Sequence, residues 1–355
     1  MNKPSRRSRG TVTIQDVARR AGVSAMTVSR VINDGKNVRA LTRERVLEAI
    51  EALRYSPNSA ARSLAAGEAT HVGLLYSNPS AAYLSQFLVG ALDGARKAGC
   101  HLVIEACESS DDADRAQAAR HLVDAGVEGV VLPPPLSESV PILTELAIAE
   151  IAVVTVAMGK LYRNPLNVRM DDCKAAVEVT EYLLSLGHRR IGLIKGHPDQ
   201  IASAERERGF RQAVAAAGLA PEDVHFEQGY FTYRSGLEAA ERLLDLPRPP
   251  TAIFASNDDM AAAVVGVAHR RGLDVPRDLS VAGFDDTSLA TTMWPELTTV
   301  RQPVSAMAGA ALEMLLGDLR GRRRGQSSTP AERVLEHELV IRQSCGPARE
   351  IGRQE

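Results

Sequence analysis

Arg206, Asp285, Asn257, Asp258, Asp171, Tyr83, Phe231 and Trp294 are the side chains of this 355-residue sequence whose types suit the capture of a small polar molecule. A sugar needs planar donors and acceptors for its hydroxyls and an aromatic face for its ring. Guanidinium, carboxylate and amide groups supply the first need, and Tyr, Phe and Trp the second. Asp285 follows the apolar run Ser280–Phe284, Asn257 and Asp258 follow Thr251–Ser256, and Tyr83 lies beyond Val72–Tyr76. Ligands of open α/β sheets sit beyond the carboxyl ends of strands, so these residues converge on one cleft if the runs are strands. Enzymatic motifs are missing: the chain has no GxGxxG, no phosphate loop ending Gly-Lys-Ser/Thr, no HExxH and no Gly-x-Ser-x-Gly. His337-Glu338 opens like a zinc motif but lacks the second histidine, and it is expected at the surface of a terminal strand, Arg333–Ile341. Neither catalysis, nor a metal, nor a cofactor is expected.

The elements that would position these side chains are legible as a pattern. From His71 onward, short apolar runs alternate with longer helical stretches, the signature of βαβ units and parallel sheet. The strand candidates are Val72–Tyr76, Leu102–Ala106, Gly129–Leu132, Ala152–Val156, Arg190–Lys195, Thr251–Ser256 and Leu279–Phe284. Helices are expected over Ala81–Ala98, Ala113–Ala125, Lys174–Leu186, Ala204–Ala217, Tyr233–Leu244 and Met260–Arg271. A break near Asn167–Asp172 divides this body into two similar halves, and Leu297–Pro303 reads as a return crossing between them. Within Ala81–Ala98, Leu84, Phe87, Leu88 and Leu92 offer a dimer face.

Charge separates the body from what precedes it. Up to Gly67 there are thirteen basic residues, among them Lys3, Arg6, Arg7, Arg9, Arg30 and Arg62, against five acids, a net +8. The whole chain carries −2, so the remainder carries −10. A basic head suits a polyanion, because neutralising phosphates releases their condensed counterions, while an acidic body is repelled by it. The head is also patterned. Thr13 is a candidate N-cap for a helix with Ile14, Val17, Ala18 and Ala21 at helical spacing, and Gly22 stops it. Ser24 caps a second helix, Ala25 to Asn33, with Val28, Val31 and Ile32 inward. Thr42 caps a third, whose Val46, Leu47, Ile50 and Leu53 close a small core. Two helices joined by a three-residue turn with a glycine make a helix-turn-helix, whose second helix would aim Ala25, Met26, Ser29 and Arg30 at base edges in the major groove. Ala25 and Met26 are apolar and read by thymine-methyl contact and exclusion, which leaves Arg30 for guanine.

These residues carry a resemblance. Thr13-Ile14-Gln15-Asp16-Val17-Ala18, Ala21-Gly22-Val23-Ser24 and Thr27-Val28-Ser29-Arg30-Val31-Ile32-Asn33 resemble the head of the lactose/galactose repressor (LacI/GalR) family, and Tyr55-Ser56-Pro57-Asn58-Ser59-Ala60-Ala61-Arg62-Ser63-Leu64 resembles its hinge helix. The resemblance implies an α/β protein with a three-helix head, a hinge helix and a two-lobed periplasmic-binding-protein-like core of Rossmann-like parallel sheets. It implies DNA contacts by Thr13, Ser24, Ala25, Met26, Thr27, Ser29, Arg30, Asn33, Tyr55, Asn58, Ala61, Arg62 and Leu64, the last as an apolar wedge that kinks the duplex from the minor groove. A short hinge rich in Ala and Ser is a poor lone helix, so it should order only with DNA and a partner hinge. By position, Arg206, Phe231 and Asp285 match effector contacts of the family's purine and sugar repressors. Gln200 and Ala202 depart from the purine pattern, which favours a sugar.

The expected domains are a basic arm at 1–10, the DNA-binding head at 11–56, a hinge at 57–67 and an effector-binding and dimerisation domain at 70–345. In the last, one lobe takes about 70–170 and 302–330, the other about 171–301 and 331–343. The expected function is a sequence-specific transcriptional regulator, in the main a repressor, acting as a homodimer on pseudo-palindromic double-stranded DNA under control of a small molecule between the lobes. The alternatives are a purine-type corepressed regulator and, in a different class, a sugar-binding sensor or transport protein without a DNA role. No uncharged apolar run approaches the ~18–20 residues of a membrane span, and no apolar stretch follows the basic start as in a secretory signal. The chain is therefore expected in the cytoplasm, with no membrane partner. Cys100, Cys107, Cys173 and Cys345 have no metal or disulfide spacing and read as reduced thiols. Leucine heptads are absent after Ile341, so a tail-built tetramer is not expected.

Overall fold

A computed structural model describes residues 14–32, 38–53, 70–157 and 166–349. The chain divides into two compact units, Met1–Glu68 and Ala69–Glu355. In the first, α1 (Ile14–Ala21), α2 (Ala25–Ile32) and α3 (Ala40–Ala52) enclose Val17, Ala18, Ala21, Val28, Val31, Val46 and Ala49. Gly22 takes φ +66°, a left-handed stop that L side chains adopt at a cost. The Arg45 guanidinium donates to the Ala21 carbonyl at 2.9 Å and ties α3 to that turn. Ser24 caps α2 as expected, its Oγ accepting from the Thr27 N–H at 3.2 Å. The third helix corrects the sequence reading: it begins at Ala40 rather than after Thr42, because the Arg39 carbonyl already accepts from the amides of Thr42 and Arg43. Leu47, expected inside, is 53% exposed. Val46 and Ala49 form the inward row, with Ile50 and Leu53 packed against it and Leu47 turned outward.

The second unit holds two six-stranded sheets, each flanked by helices. The first has the order β11-β5-β4-β3-β1-β2, from β1 (His71–Tyr76), β2 (His101–Ala106), β3 (Gly129–Leu132), β4 (Ala152–Val156), β5 (Leu166–Arg169) and β11 (Ala331–Val334). The second has the order β12-β10-β9-β8-β6-β7, from β6 (Ile191–Lys195), β7 (Val224–Gln228), β8 (Ala252–Ala255), β9 (Ser280–Asp285), β10 (Thr298–Arg301) and β12 (Glu338–Val340). Every pair is parallel except β10 with β12. Central strands such as β3, β8 and β9 are buried along their whole length, which is why they read as unbroken apolar runs.

Helices α4 (Ala81–Ala98) and α12 (Val304–Arg322) cover one face of the first sheet, α5 (Asp112–Asp124) and α6 (Val140–Ile148) the other. The second sheet lies between α7 (Asp172–Ser185) with α8 (Ile201–Ala216) and α9 (Tyr233–Leu244) with α10 (Asp258–Arg270), a short α11 (Leu289–Thr292) leading toward β10. The chain passes between the sheets after β5, after β10 and between β11 and β12. The stretch Arg333–Ile341, expected as one strand, is therefore two strands in different sheets, and 331–334, placed above with the second lobe, pairs with β5 of the first. His337 in that crossing is not a surface residue. Its side chain is 2% exposed and bonds Glu178 of α7 at 2.9 Å. All four cysteines are buried free thiols. No helix among the described residues is long and apolar enough to cross a membrane.

Candidate functional site

In each sheet the strand order reverses beside the first strand of its half, between β1 and β3 and between β6 and β8. At such a switch point the connections leave to opposite faces and open a crevice beyond the carboxyl ends of the strands. Two adjoining cavities lie there. An outer cleft of about 580 Å³ is lined among others by Tyr76, Asn78, Glu138, Ser139, His197, Gln200 and Tyr230. An inner cavity of about 40 Å³ is lined by Tyr83, Asp172, Arg206, Phe231, Asn257, Asp285 and Gln302, with Asn78 and Gln200 shared.

Arg206 organises the inner cavity. It sits on α8, is 4% exposed, and donates from Nε to Asp172 Oδ1 at 2.9 Å and from Nη1 to the Ser256 carbonyl at 2.5 Å. Its guanidinium lies over the Phe284 ring at 3.7 Å and within 5.6 Å of Phe231, a cation–π arrangement that burial strengthens. Burial pushes the Asp172 carboxyl up and Arg206 pulls it back. Asp285 is held well above the usual carboxylate range by burial, against the pull of Arg206, and accepts from Gln302 Nε2 at 2.6 Å. Burial, with Asp285 next in size, also raises the Tyr83 phenol, whose hydroxyl has no partner among the described residues. A buried hydroxyl without a partner is costly unless something else meets it.

The backbone is strained here. Phe231 has φ 59°, Asp285 φ 115° and Asp286 φ 53°, conformations that L residues hold only when their surroundings impose them. Asn257 imposes one of these conformations. Its Oδ1 caps α10 by accepting from the Met260 N–H, and its Nδ2 donates to the Phe231 carbonyl, both at 2.9 Å. Gly196 faces the Phe231 ring so closely that a Cβ there would stand 2.0 Å from the ring. Gly196→Ala is therefore expected to tip the ring into the cavity and lower affinity for a cavity ligand by about tenfold or more. Isothermal titration against wild type checks this, and equal affinities would mean the ring is not part of the binding surface.

The structure brings together Tyr83, Arg206, Phe231, Asn257 and Asp285 of the sequence-predicted set. Three others it does not. Asp171 caps α7, accepting from the Lys174 N–H at 2.9 Å, and the cavity position belongs to its neighbour Asp172. Asp258 is enclosed in the second lobe, its oxygens occupied by the Thr287 N–H, Thr287 Oγ1 and Thr299 Oγ1 at 2.6–3.1 Å. Burial pushes its carboxyl up to about 7. Trp294 is 75% exposed and lines neither cavity. Asp172 had a readable signal: with Ala176, Val179 and Leu183 it forms the i, i+4, i+7, i+11 stripe that α7 buries. Glu138 and Gln302 had none, because their partners lie on distant elements.

In the head, Ser24, Ala25, Met26, Thr27 and Arg30 lie in the first two turns of α2 or just before it, with Met26 66% exposed and Arg30 exposed beside it. An uncovered methionine at the start of a recognition helix fits contact with a partner rather than packing. Thr13, Asn33, Tyr55, Asn58, Ala61, Arg62 and Leu64, and the side chain of Ser29, lie outside the described residues.

Comparison with known proteins meets this geometry at both units. Residues 13–58 match the family described as bacterial regulatory proteins, lacI family, and residues 180–345 match a periplasmic binding protein-like domain. Catabolite control protein A of Priestia megaterium is 35% identical over 307 residues, 86% of this chain and 91% of that protein. The chain belongs to the LacI family. Two solved structures align along nearly all of this LacI-family chain. A transcriptional regulator CelR–cellobiose complex is 30% identical with TM-score 0.70, covering 94% of this chain and 99% of its own. The lac repressor dimer bound to operator and the anti-inducer ONPF is 27% identical with TM-score 0.69 and the same coverage. This LacI-family chain is accordingly a DNA-binding transcriptional regulator and not an enzyme, and the α1–α3 unit is its DNA-binding domain.

Proposed function

We propose that this regulator acts as a homodimer on a pseudo-palindromic operator and releases it when a neutral sugar of more than one ring closes the two lobes. The observation that carries the effector class is the charge balance of the cavities. Among the described residues, Arg206 is already paired with Asp172, burial pushes Asp285 toward its neutral form, and Glu108, Asp199 and Glu138 stand against a single further guanidinium, Arg115. An acid-rich cleft with no free guanidinium at its centre disfavours phosphorylated sugars and uronates. Hydroxyls are what Asp285, Arg206 and Tyr83 can exchange hydrogen bonds with. The two cavities meet at Asn78 and Gln200, so one ring against Phe231 leaves a second beside Tyr230, which is 46% exposed. The relative solved with cellobiose supports a two-ring ligand.

For the dimer, Val89 and Leu92 of α4 are 61% and 55% exposed, an apolar edge of the kind a symmetric partner covers. Phe87, expected on that face, is instead part of the first lobe's core. Regulation then follows from linkage. An effector that prefers a lobe arrangement incompatible with paired hinges and Leu64 wedges weakens DNA binding by the same factor that DNA weakens effector binding.

The test is fluorescence anisotropy on a pseudo-palindromic duplex with a central CG step at fixed salt, titrated with cellobiose, other mono- and disaccharides, glucose 6-phosphate and purines. Release by a neutral disaccharide at least tenfold more effective than by glucose 6-phosphate is expected. Tightening by a purine would reverse both the ligand class and the sign of regulation.

A further inference from the structure

Glu138 ends a single 3-10 turn, Leu136–Glu138, after β3 of the first lobe, yet its carboxylate is bonded to the second. Its two oxygens accept from the Ile201 N–H at 3.1 and 3.3 Å. Ile201 is the first residue of α8. Gln200, at the N-cap of that helix, makes no side-chain cap bond, and the first turn contains no acid. An α-helix leaves its first four N–H groups unsatisfied, so an acceptor oxygen is what this end calls for. Here the opposite lobe supplies it. Among the described residues, Ser80 Oγ to Asp259 at 2.6 Å and Gln86 Nε2 to the Asp286 carbonyl at 3.3 Å also join the lobes, and neither touches α8.

We propose that Glu138 is a positioning residue that latches the lobes together by capping α8, the helix that carries Arg206, across the mouth of the cleft. The inference rests on the reading that an effector is held between closed lobes, because Glu138 lines the same outer cleft. The acid is poised for such a role. Burial pushes it up to about 7, the Ile201 amide draws it back and Asp172 adds to the rise. The other charged groups facing that cleft are Arg115 and Glu108 from the first lobe and His197 and Asp199 from the second.

Separating the lobes returns the carboxyl to water and to its ordinary value of 4.5. Its value is thus higher in the closed form, so closure takes up a proton. Relative to alkaline conditions the latch strengthens as pH falls below about 7, by about tenfold per pH unit, and levels off near 4.5. The bonds of Asp172, Asp258 and Asp285 described above stay within the second lobe or at its Gln302 crossing, so lobe separation does not break them.

Hydrogen–deuterium exchange of the first turn of α8 in the full-length protein, corrected for intrinsic rates and without any added ligand, tests this at pH 6 and pH 8. Wild type is expected to protect that turn about tenfold better at pH 6. Glu138→Ala should speed its exchange about tenfold at pH 8 and about a hundredfold at pH 6, and so lose the pH response. Glu138→Gln, whose amide oxygen still accepts from Ile201, should keep the protection and lose the pH response. Unchanged exchange in Glu138→Ala, or a wild-type pH response in Glu138→Gln, overturns the proposal. Should Glu138→Ala unfold, the Glu138→Gln profile decides alone. Because no effector is present, failure here leaves the sugar reading standing, and failure of every sugar to release the operator leaves the latch standing.

Discussion

Arg206→Ala is expected to abolish operator release by the effector and at the same time to destabilise the effector-binding unit by about 3–5 kcal/mol. The first effect follows from geometry, since among the described residues Arg206 is the only guanidinium lining the inner cavity. Losing a charge-assisted hydrogen bond and a cationic face over two rings is expected to weaken binding by two orders of magnitude or more. The second effect follows from what the substitution leaves behind. The Arg206 and Asp172 side chains are 5% and 9% exposed, so removing the cation strands a buried carboxylate.

The two effects can be separated. Adding Asp172→Asn to Arg206→Ala is expected to recover most of the stability and none of the effector response, because the amide needs no countercharge. Operator binding without effector should survive in both, the DNA-binding residues belonging to the other unit. Denaturant unfolding and operator anisotropy on the single and double variants measure the two arms. A single variant as stable as wild type would show that the Asp172 carboxylate is not held as an ion in the folded protein.

Gly209→Ala is expected to destabilise the same unit by about 3 kcal/mol, although alanine is the better helix former by about 1 kcal/mol. A Cβ at Gly209 would lie 2.2 Å from the Cys173 carbonyl oxygen and 2.9 Å from the Ala176 Cβ. Those atoms are backbone and the root of a side chain, so relief requires α8 to move away from α7. Such a shift carries Arg206 with it, and a fall in effector affinity should accompany the loss of stability. Gly309 in α12 provides the contrast. A Cβ there meets nothing within 4 Å, so Gly309→Ala should stabilise by about 0.5–1 kcal/mol through propensity alone. Chemical denaturation of both variants reads the sign directly. A Gly209→Ala protein as stable as wild type would mean that the helix pair tolerates wider spacing.

The central strands were legible in the sequence because burial on both faces writes an unbroken Val, Ile and Leu run, as in Gly129–Leu132 and Ala252–Ala255. The edge strand Val224–Gln228 was not, since every residue is half-buried and only two apolar residues, Val224 and Phe226, mark its alternation, too short a run to stand out. The same limit applied to the site. Asp285 and Arg206 could be found, one by following a strand and the other by its place in a motif. Choosing Asp171 over Asp172 was a one-residue error, and on a helix one residue is a rotation of about 100°. That rotation separates a capping position from the buried face. Trp294 misled for a different reason: its type suits a sugar ring, but the chain puts it in the exposed stretch between α11 and β10. The Glu138 bond to Ile201 spans 63 residues and two lobes, and no local pattern encodes it.

The triple passage between the sheets has a bearing on biosynthesis. β11 and β12 close the edges of different sheets, yet both are translated after every other strand. A nascent chain in which Val300 has emerged would have five strands of each sheet assembled while β5 and β10 still present open hydrogen-bonding edges. Open edges of apolar sheets are where chains pair wrongly with one another. For this protein the interval between synthesis of β10 and of β11 is the aggregation-sensitive window, and a ribosomal pause placed within it would lengthen the exposure of both lobes at once.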